Sequence, residues 1–318
     1  MMNTLRIPST DLDVSAMAYG VSRFGTSVAG DDADRLYDAY RNAGGNFFDT
    51  AHCYAFWLPG GLGASERALG DLVRRRGDRG RVVIATKGGH PNDDEGYRRP
   101  DRYLSPEVLA GDVADSLDRL GLDRVDVYLL HRDDRRVAVS EIIDALHSHV
   151  QAGRVRYLGA SNWTTQRIAA ANAYAASRGL RGFVISQPRF SLAESNKPAT
   201  EDDLATRPLD DDAHDWHTAA GLPVMAYSST ACGYFATQGR AGAGTFDNPV
   251  SRRRLARTRQ LAAQTGHSPT QLALAWLMHQ PFPVVPILGT TNHEHLLDAL
   301  GAVDVRLTPQ QVAWLADD

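Results

Sequence analysis

Short apolar runs alternate along this chain with longer segments in which apolar residues recur at helical spacing. The short runs are rich in β-branched and aliphatic residues, as is typical of strands buried in a parallel sheet. Strands are predicted at 14–19, 46–51, 82–86, 125–131, 156–160, 182–187, 223–228 and 284–288. Helices are predicted between them, among others at 31–43, 65–76, 105–120, 140–152, 164–177 and 270–280. The pattern therefore predicts about eight βα units.

Two architectures are compatible with such units: one (β/α)8 barrel or two doubly wound domains. The second requires Gly-x-Gly-x-x-Gly directly after the first strand, to bind a phosphate. Residues 20–25 read Gly-Val-Ser-Arg-Phe-Gly and do not match, and no long polar linker divides the chain. We therefore predict an α/β fold: a (β/α)8 TIM barrel with an N-terminal β-hairpin and long loops at its C-terminal face, formed by residues 1–318 as a single domain.

Four long irregular stretches each follow a predicted strand, at 55–63, 88–104, 192–212 and 231–249. In a parallel barrel, the segments that follow the strands gather at the C-terminal face, where the active sites of this fold lie. The pattern thus predicts the position of the functional site before any residue is assigned a role.

Composition narrows the class of protein. The chain has 318 residues, with 34 Lys plus Arg against 38 Asp plus Glu, for a net charge of −4. This balance argues against a nucleic-acid or anionic-membrane partner. No signal peptide or membrane-length apolar run is present, and two cysteines are too few for a disulfide framework. We expect a cytoplasmic protein, and no sequence feature indicates an oligomer.

Ionisable side chains end three adjacent predicted strands: Asp49, Lys87 and His131, with Tyr54 a few residues beyond Asp49. Taken alone, each has an ordinary structural explanation. The aspartate would cap a turn, the lysine would be solvated, and the histidine would be a hydrogen-bonded core residue. Their joint placement at one barrel mouth instead predicts a catalytic site.

These four groups suit one kind of chemistry. A tyrosine has an ordinary pKa of about 10, and an adjacent ammonium is expected to lower it by stabilising the phenolate. Lys87 is expected to supply that charge, held in place by Asp49, while His131 orients or polarises a carbonyl oxygen beside Tyr54. Such a site would protonate a carbonyl oxygen while a hydride reaches its carbon.

Several stretches carry a family resemblance in the same order along the chain. They read NFFDTAHCY at 46–54, SERALG at 65–70, ATK at 85–87, DVYLLH at 126–131, GASN at 159–162, Gln at 187, AYS at 226–228 and ILGTT at 287–291. With these residues, the sequence resembles the aldo-keto reductase superfamily over nearly its whole length. The resemblance implies an NADP-dependent oxidoreductase that reduces an aldehyde or ketone with NADPH, with Tyr54 as general acid, Lys87 and Asp49 tuning it, and His131 orienting the substrate.

The resemblance also implies a cofactor site. Its residues are Gly20, Val21, Asp49, Ser161, Asn162, Gln187, Tyr227, Ser228, Arg253, Gly289, Thr291 and His295. Polar residues among them would hold the nicotinamide carboxamide, and the tyrosine would stack on the ring. At the adenosine end the chain departs from the family, because positions that are often Gln and Asn read His295 and Ala299.

A preference for the phosphorylated cofactor requires a basic group near the ribose. Residues 251–254 read Ser-Arg-Arg-Arg in a segment where such family members place one, and Arg253 is the candidate. The alternative is that this run is simply the solvated start of a helix.

The substrate rim is predicted from residues that border the expected mouth. Stretch 55–63 is an insertion relative to the family pattern and contains Phe56 and Trp57, while Arg132 and Trp163 follow catalytic and cofactor residues. An aromatic beside hydrogen-bonding groups suits a sugar-like or glycosylated carbonyl substrate. Alternatively, the two aromatics of the insertion only hold this loop by burial.

Two other functions remain open alternatives. The first is a cofactor-binding regulatory subunit with little turnover, like the channel-associated members of the same superfamily. The second is a metal-dependent hydrolase, which is disfavoured because neither a His-x-His after the first strand nor a His-Glu-x-x-His is present. No metal site is predicted, and His52, Cys53 and His90 have no assigned role.

Overall fold

The computed structural model describes residues 2–92, 96–196 and 208–317. Strands β1 (Thr4–Arg6) and β2 (Asp13–Ser15) form an antiparallel hairpin. Eight parallel strands then close a barrel, and the last strand pairs with the first. They are β3 (Ala18–Gly20), β4 (Phe47–Asp49), β5 (Val83–Gly88), β6 (Val125–Leu130), β7 (Val155–Ser161), β8 (Phe183–Gln187), β9 (Val224–Ala226) and β10 (Val284–Leu288). The predicted (β/α)8 TIM barrel with its N-terminal hairpin is confirmed.

Helices surround the barrel. They are α1 (Asp31–Asn42), α2 (Ala64–Arg76), α3 (Pro106–Leu120), α4 (Val139–Gln151), α5 (Thr165–Ser177), α6 (Asp211–Ala220), α7 (Ala243–Phe246), α8 (Pro249–Thr265), α9 (Pro269–Met278), α10 (His293–Leu300) and α11 (Pro309–Ala316). Several begin at the residue types that satisfy free backbone amides, such as Ser268, whose hydroxyl accepts from Gln271 in a capping box. Within the described ranges, no helix is long and apolar enough to cross a bilayer.

The two-residue period of the strands divides their side chains between two cores. In β6, Val127 and Leu129 belong to the inner core, whereas Tyr128 and Leu130 pack in the outer layer against the helices. The same period continues to the strand ends. Asp49 lies two residues after inward-facing Phe47, and its side chain therefore points over the inner core. By the same spacing, Lys87 follows Ala85 of β5 and His131 follows Leu129 of β6.

The N-terminal hairpin contributes to the same inner core. Ile7, Leu12 and Val14 are buried there together with Phe47 and Val285 of the barrel strands. The hairpin therefore closes the end of the barrel opposite the strand C-termini and leaves the C-terminal face open.

Two sequence predictions differ from the structure. The strand predicted at 14–19 is two elements, because Ser15 ends β2 and its hydroxyl donates to Met17 O, so that the chain turns before Ala18 begins β3. An apolar run in the sequence does not show whether it forms one strand or two strands that pair in different sheets. The stretch predicted as irregular at 192–212 includes the start of α6, where Asp210 caps the helix, and residues 197–207 of it lie outside the described residues.

The contact between α2 and α3 yields a stability prediction. A Cβ on Gly70 would lie 2.2 Å from the backbone oxygen of Leu120, whereas a Cβ on Gly111 in α3 would meet nothing within 4 Å. We expect Gly70→Ala to lower the free energy of unfolding by about 1–3 kcal/mol through overpacking. The control Gly111→Ala should raise it by about 0.5–1 kcal/mol through helix propensity. Urea denaturation measures both free energies of unfolding. Equal changes in the two variants would contradict the close approach of α2 and α3 at Gly70.

Candidate active site

The C-terminal ends of β4, β5 and β6 bring the four predicted catalytic side chains together. Asp49 ends β4, Lys87 is the penultimate residue of β5, and His131 directly follows β6. Tyr54 lies in the turn after β4, packed against Cys53. Lys87 is only 1% exposed, which is rare for a lysine and requires that its charge be compensated locally.

Lys87 connects the group. Its Nζ donates three hydrogen bonds of 2.8 Å, to Asp49 Oδ2, the Thr50 carbonyl oxygen and the Tyr54 hydroxyl oxygen. Nζ also lies 4.6 Å from the centre of the Tyr54 ring. Because an ammonium has three donors, all of them are used. The hydroxyl proton of Tyr54 is left with one long contact, 3.5 Å to Asp49 Oδ2.

The electrostatics of Tyr54 differ from the sequence expectation. Burial, followed by the negative charge of Asp49, raises the pKa of Tyr54 well above its ordinary value. Burial also lowers the pKa of Lys87, and Asp49 opposes that change. The pKa of Tyr54 is therefore raised instead of lowered, because burial and the charge of Asp49 outweigh the positive charge of Arg132. The phenol consequently holds its proton at neutral pH.

His131 is held by a buried thiol that the sequence did not connect to it. Cys53 Sγ lies 3.3 Å from His131 Nδ1, and the imidazole packs edge-to-face against Tyr54 with ring centres 5.9 Å apart. Burial lowers the pKa of His131 well below its ordinary value, with a further contribution from the positive charge of Arg132. Burial also raises the pKa of the Cys53 thiol. At neutral pH the pair is thus an uncharged imidazole beside an uncharged thiol.

A second polar group lies at the ends of β7, β8 and β9. Ser161 Oγ donates to the Gln187 carbonyl oxygen at 2.8 Å, and Asn162 Nδ2 donates to Ser161 Oγ at 2.9 Å. Tyr227 donates its hydroxyl to Asn162 Oδ1 at 2.8 Å. The amide of Gln187 crosses the barrel to donate to Asp49 Oδ1 at 2.9 Å, and this bond joins the two groups.

The remaining predicted cofactor residues lie at the same face. Gly20 ends β3, and the amide of the following buried Val21 donates to the Asp49 carbonyl oxygen. Ser228, after β9, has a left-handed backbone with φ 53°. Gly289 and Thr291 follow β10, His295 lies in the first turn of α10, and Arg253 lies near the start of α8. All four are exposed.

The predicted rim residues fall in two places. Trp57 is 42% exposed and packs edge-to-face on Phe56, which also contacts the rings of His90 and Tyr97. Trp163 lies elsewhere. It is 4% exposed, its ring packs against Phe183 in the outer core, and it lines a cavity of about 580 Å³ beside α5 and α6. Its position after Asn162 did not reveal that the ring turns away from the mouth.

Sequence reasoning missed Tyr97 and the function of His52. Tyr97 is buried against Cys53, and its hydroxyl lies 2.7 Å from His52 Nδ1, while His52 Nε2 lies 3.1 Å from Asp115 Oδ2. His52 therefore attaches the long loop after β5 to the turn after β4 that carries Tyr54. No signal in an irregular stretch indicates that one of its tyrosines reaches the core. Within the part of the chain that the structure describes, no cluster of His, Cys, Asp and Glu is suited to a metal ion.

Comparisons with known proteins give a consistent result. The profile of the Aldo/keto reductase family matches residues 16–317. A Bacillus subtilis protein named as an uncharacterized oxidoreductase is 31% identical, with 97% of this chain and 93% of that protein covered. A 6-dehydroglucose reductase from Novosphingobium aromaticivorans is 32% identical, with 95% and 90% covered. A probable voltage-gated potassium channel subunit beta from Oryza sativa is 30% identical, with 95% and 92% covered.

Proposed function

Because the chain belongs to the aldo/keto reductase family, we propose that it is an NADPH-dependent reductase that converts an aldehyde or ketone into an alcohol. Family membership and the relatives named as oxidoreductases support carbonyl reduction in general. The observation that carries the specific proposal is the position of Lys87 Nζ, 2.8 Å from both Tyr54 and Asp49. A buried, neutralised ammonium beside a phenol suits proton donation to a carbonyl, because it stabilises the phenolate that forms.

The residues at the barrel mouth fit a nicotinamide dinucleotide. Ser161, Asn162 and Gln187 present buried hydroxyl and amide groups beside the ring of Tyr227, which suits a carboxamide next to a flat ring. Near the start of α10, a Cβ on Gly289 would meet nothing within 4 Å, so the approach to this helix N-terminus is open to phosphate. When bound, NADPH supplies the hydride, and NADP⁺ is the product.

Tyr54 is the proposed proton donor. Since Lys87 donates to the Tyr54 oxygen, that oxygen accepts and its own O–H remains available to a carbonyl in the mouth. The raised pKa keeps this proton in place until negative charge develops on the substrate oxygen, because an alkoxide is more basic than a phenolate. The phenolate that forms is then stabilised by the ammonium, which is already in position.

His131 is proposed to orient the carbonyl. A neutral imidazole carries one N–H, and its position is set by the partner of the other nitrogen. Cys53 Sγ lies 3.3 Å from Nδ1, and the raised pKa of the thiol keeps its proton. We assign the thiol as donor to Nδ1, which places the imidazole hydrogen on Nε2, on the other side of the ring. The Nε2–H then donates to the substrate oxygen beside Tyr54.

Substitution of Cys53 tests the tautomer of His131. Cys53→Val removes the donor at Nδ1, and we expect kcat/KM to fall roughly 10-fold, the equivalent of one neutral hydrogen bond. Cys53→Ser, which keeps a donor, should retain most of the activity. The ¹⁵N shifts of the His131 ring report the tautomer directly. A wild-type protein protonated at Nδ1 would disprove this role.

Arg253 is proposed to select NADPH over NADH. Within the described residues its exposed side chain has neither an ion pair nor a hydrogen-bond partner, whereas Arg252 binds Asp247 at 2.7 Å. We expect Arg253→Ala to raise KM for NADPH about 10-fold, through loss of one charged contact, and to leave KM for NADH unchanged. Arg259→Ala, on the same helix, is the control. Equal effects on both cofactors would refute the assignment.

A sugar-like substrate is supported by two observations. One relative is named 6-dehydroglucose reductase, and exposed Trp57 beside Phe56 offers a flat apolar face at the mouth. Trp57→Ala and Arg132→Ala are therefore expected to reduce turnover of sugar-like carbonyls. If neither variant changes turnover of any keto or aldehyde sugar, this substrate class is wrong.

The decisive assay mixes the purified protein with NADPH and a panel of aldehydes, ketones and keto sugars while NADPH absorbance is followed. Consumption of NADPH with formation of alcohol supports the proposed function. The relatives named as probable channel subunits favour a second candidate, a regulatory subunit that binds the cofactor with little turnover. Tight NADPH binding without oxidation by any carbonyl would favour that candidate, and absence of NADPH binding would refute both.

A further inference from the structure

Arg132 occupies an unusual position between the two polar groups of the site. Its Nη1 donates to the His131 carbonyl oxygen at 2.9 Å, and the same oxygen accepts from Asn162 Nδ2 at 3.2 Å. Its positive charge lowers the pKa of His131 and opposes the rise in the pKa of Tyr54, as expected for a guanidinium close to both side chains. Arg132 is thus a cation at the mouth, next to the candidate proton donor.

The acidic residues beside Arg132 in the chain are paired elsewhere. Asp133 binds Arg167 at 3.1 Å, and Asp134 binds Arg136 at 2.8 Å. In residues 2–92, 96–196 and 208–317, no carboxylate lies within the 4.0 Å of an ion pair with Arg132. Burial lowers the pKa of Arg132, which expresses the cost of removing this charge from water. A half-buried guanidinium without a carboxylate partner is suited to bind an anion.

The charge balance of the mouth indicates which anion fits. The ammonium of Lys87 is already neutralised by Asp49, and His131 is uncharged, so Arg132 leaves one unbalanced positive charge. One donor of its guanidinium is used, and a carboxylate matches both the single charge and the planar fork of the remaining donors. A phosphate dianion would leave a negative charge uncompensated.

We propose that Arg132 binds a carboxylate of the substrate, and that the substrate is a carbonyl compound bearing an acid group, such as an oxo acid or a sugar-derived aldehyde acid. This inference rests on the proposed reductase function. It adds that the site selects anionic carbonyl compounds over neutral ones of the same size.

Matched substrate pairs test the inference. With NADPH, kcat/KM is measured for succinic semialdehyde against butyraldehyde, glyoxylate against glycolaldehyde, and D-glucuronate against D-glucose. In the wild type we expect at least one acid to exceed its neutral partner about 100-fold, mainly through KM, as a charge-assisted pair provides. Arg132→Gln should bring that ratio to about one, and Arg132→Lys, which keeps the charge without the fork, to an intermediate value.

Arg135→Gln is the matched control, because Arg135 is exposed three residues further along and should leave the acid-to-neutral ratio unchanged. Equal kcat/KM for all three pairs in the wild type would overturn the inference and leave the reductase function intact. A larger preference for D-glyceraldehyde 3-phosphate over D-glyceraldehyde would overturn the carboxylate in favour of phosphate.

A binding measurement separates the inference from the proposed function. If no carbonyl compound oxidises NADPH, succinate is titrated calorimetrically into the wild type and the Arg132→Gln variant, each with NADPH. Binding to the wild type that the variant loses would support the anion site although the reductase function had failed. Equal or absent binding in the two proteins would overturn the anion site as well.

Discussion

Tyr54→Phe is expected to lower kcat/KM for carbonyl reduction by about 10³-fold, within the range that a positioned general acid provides. The variant removes only the hydroxyl that Lys87 Nζ contacts at 2.8 Å and leaves the ring against His131. The hydride acceptor would then have no proton source in the mouth as charge develops on its oxygen. NADPH affinity should change less than two-fold, because Tyr54 is not among the predicted cofactor contacts and, apart from Asp49, these contacts lie outside β4 and the turn that follows it.

The measurement is steady-state NADPH oxidation with the best carbonyl of the panel, together with NADPH titration by fluorescence. Tyr174→Phe is the control, since Tyr174 lies on outer helix α5 and its hydroxyl donates to exposed Asp144. Near-normal activity of Tyr54→Phe would mean that another group donates the proton. Loss of both activity and NADPH binding would mean that Tyr54 supports the pocket instead.

Lys87→Met is expected to abolish activity and to lower the free energy of unfolding by about 3–5 kcal/mol, the cost of breaking a buried ion pair from one side. The substitution leaves the Asp49 carboxylate buried with the Gln187 amide as its remaining side-chain donor at short distance. Asp49→Asn combined with Lys87→Met removes both charges. The double variant should therefore be more stable than Lys87→Met, although it is equally inactive.

Urea denaturation of the two single variants and the double variant gives the coupling energy of the pair. Arg74→Met is the control, because its exposed pair with Asp71 on the helix surface should contribute no more than about 1 kcal/mol. If Lys87→Met were as stable as the control, the charge of Lys87 would not be essential to the folded mouth. If the double variant were less stable than Lys87→Met, the unpaired charge of Asp49 would not be the reason why Lys87→Met loses stability.

The candidate catalytic group was largely predictable from the sequence, because strand periodicity is a local property of the backbone. Side chains alternate between the two faces of a strand, so polar residues at strand ends reveal themselves as exceptions to an apolar run. Asp49, Lys87 and His131 are such exceptions, and parallel strands bring their ends to one face. The proximity of these three side chains follows from closure of the barrel, which the number of βα units predicts.

Other features depended on packing that no local pattern encodes. Trp163 follows Asn162 directly, yet its ring turns into the outer core against Phe183. The run at 14–19 divides between hairpin and barrel because of one turn at Ser15. In both cases the local sequence is compatible with two arrangements, and packing against residues distant in the chain selects one of them.

By itself, the sequence determined the barrel, the family resemblance and the order in which four catalytic candidates reach one face. Only the tertiary structure decided the electrostatics of that face. It removes Tyr54 from much of its solvent so that its pKa rises, sets Cys53 against His131, and pairs Asp133 and Asp134 away from Arg132. The physical reason is that pairing and desolvation depend on distances between residues far apart in the chain, and these distances exist only once the barrel has closed.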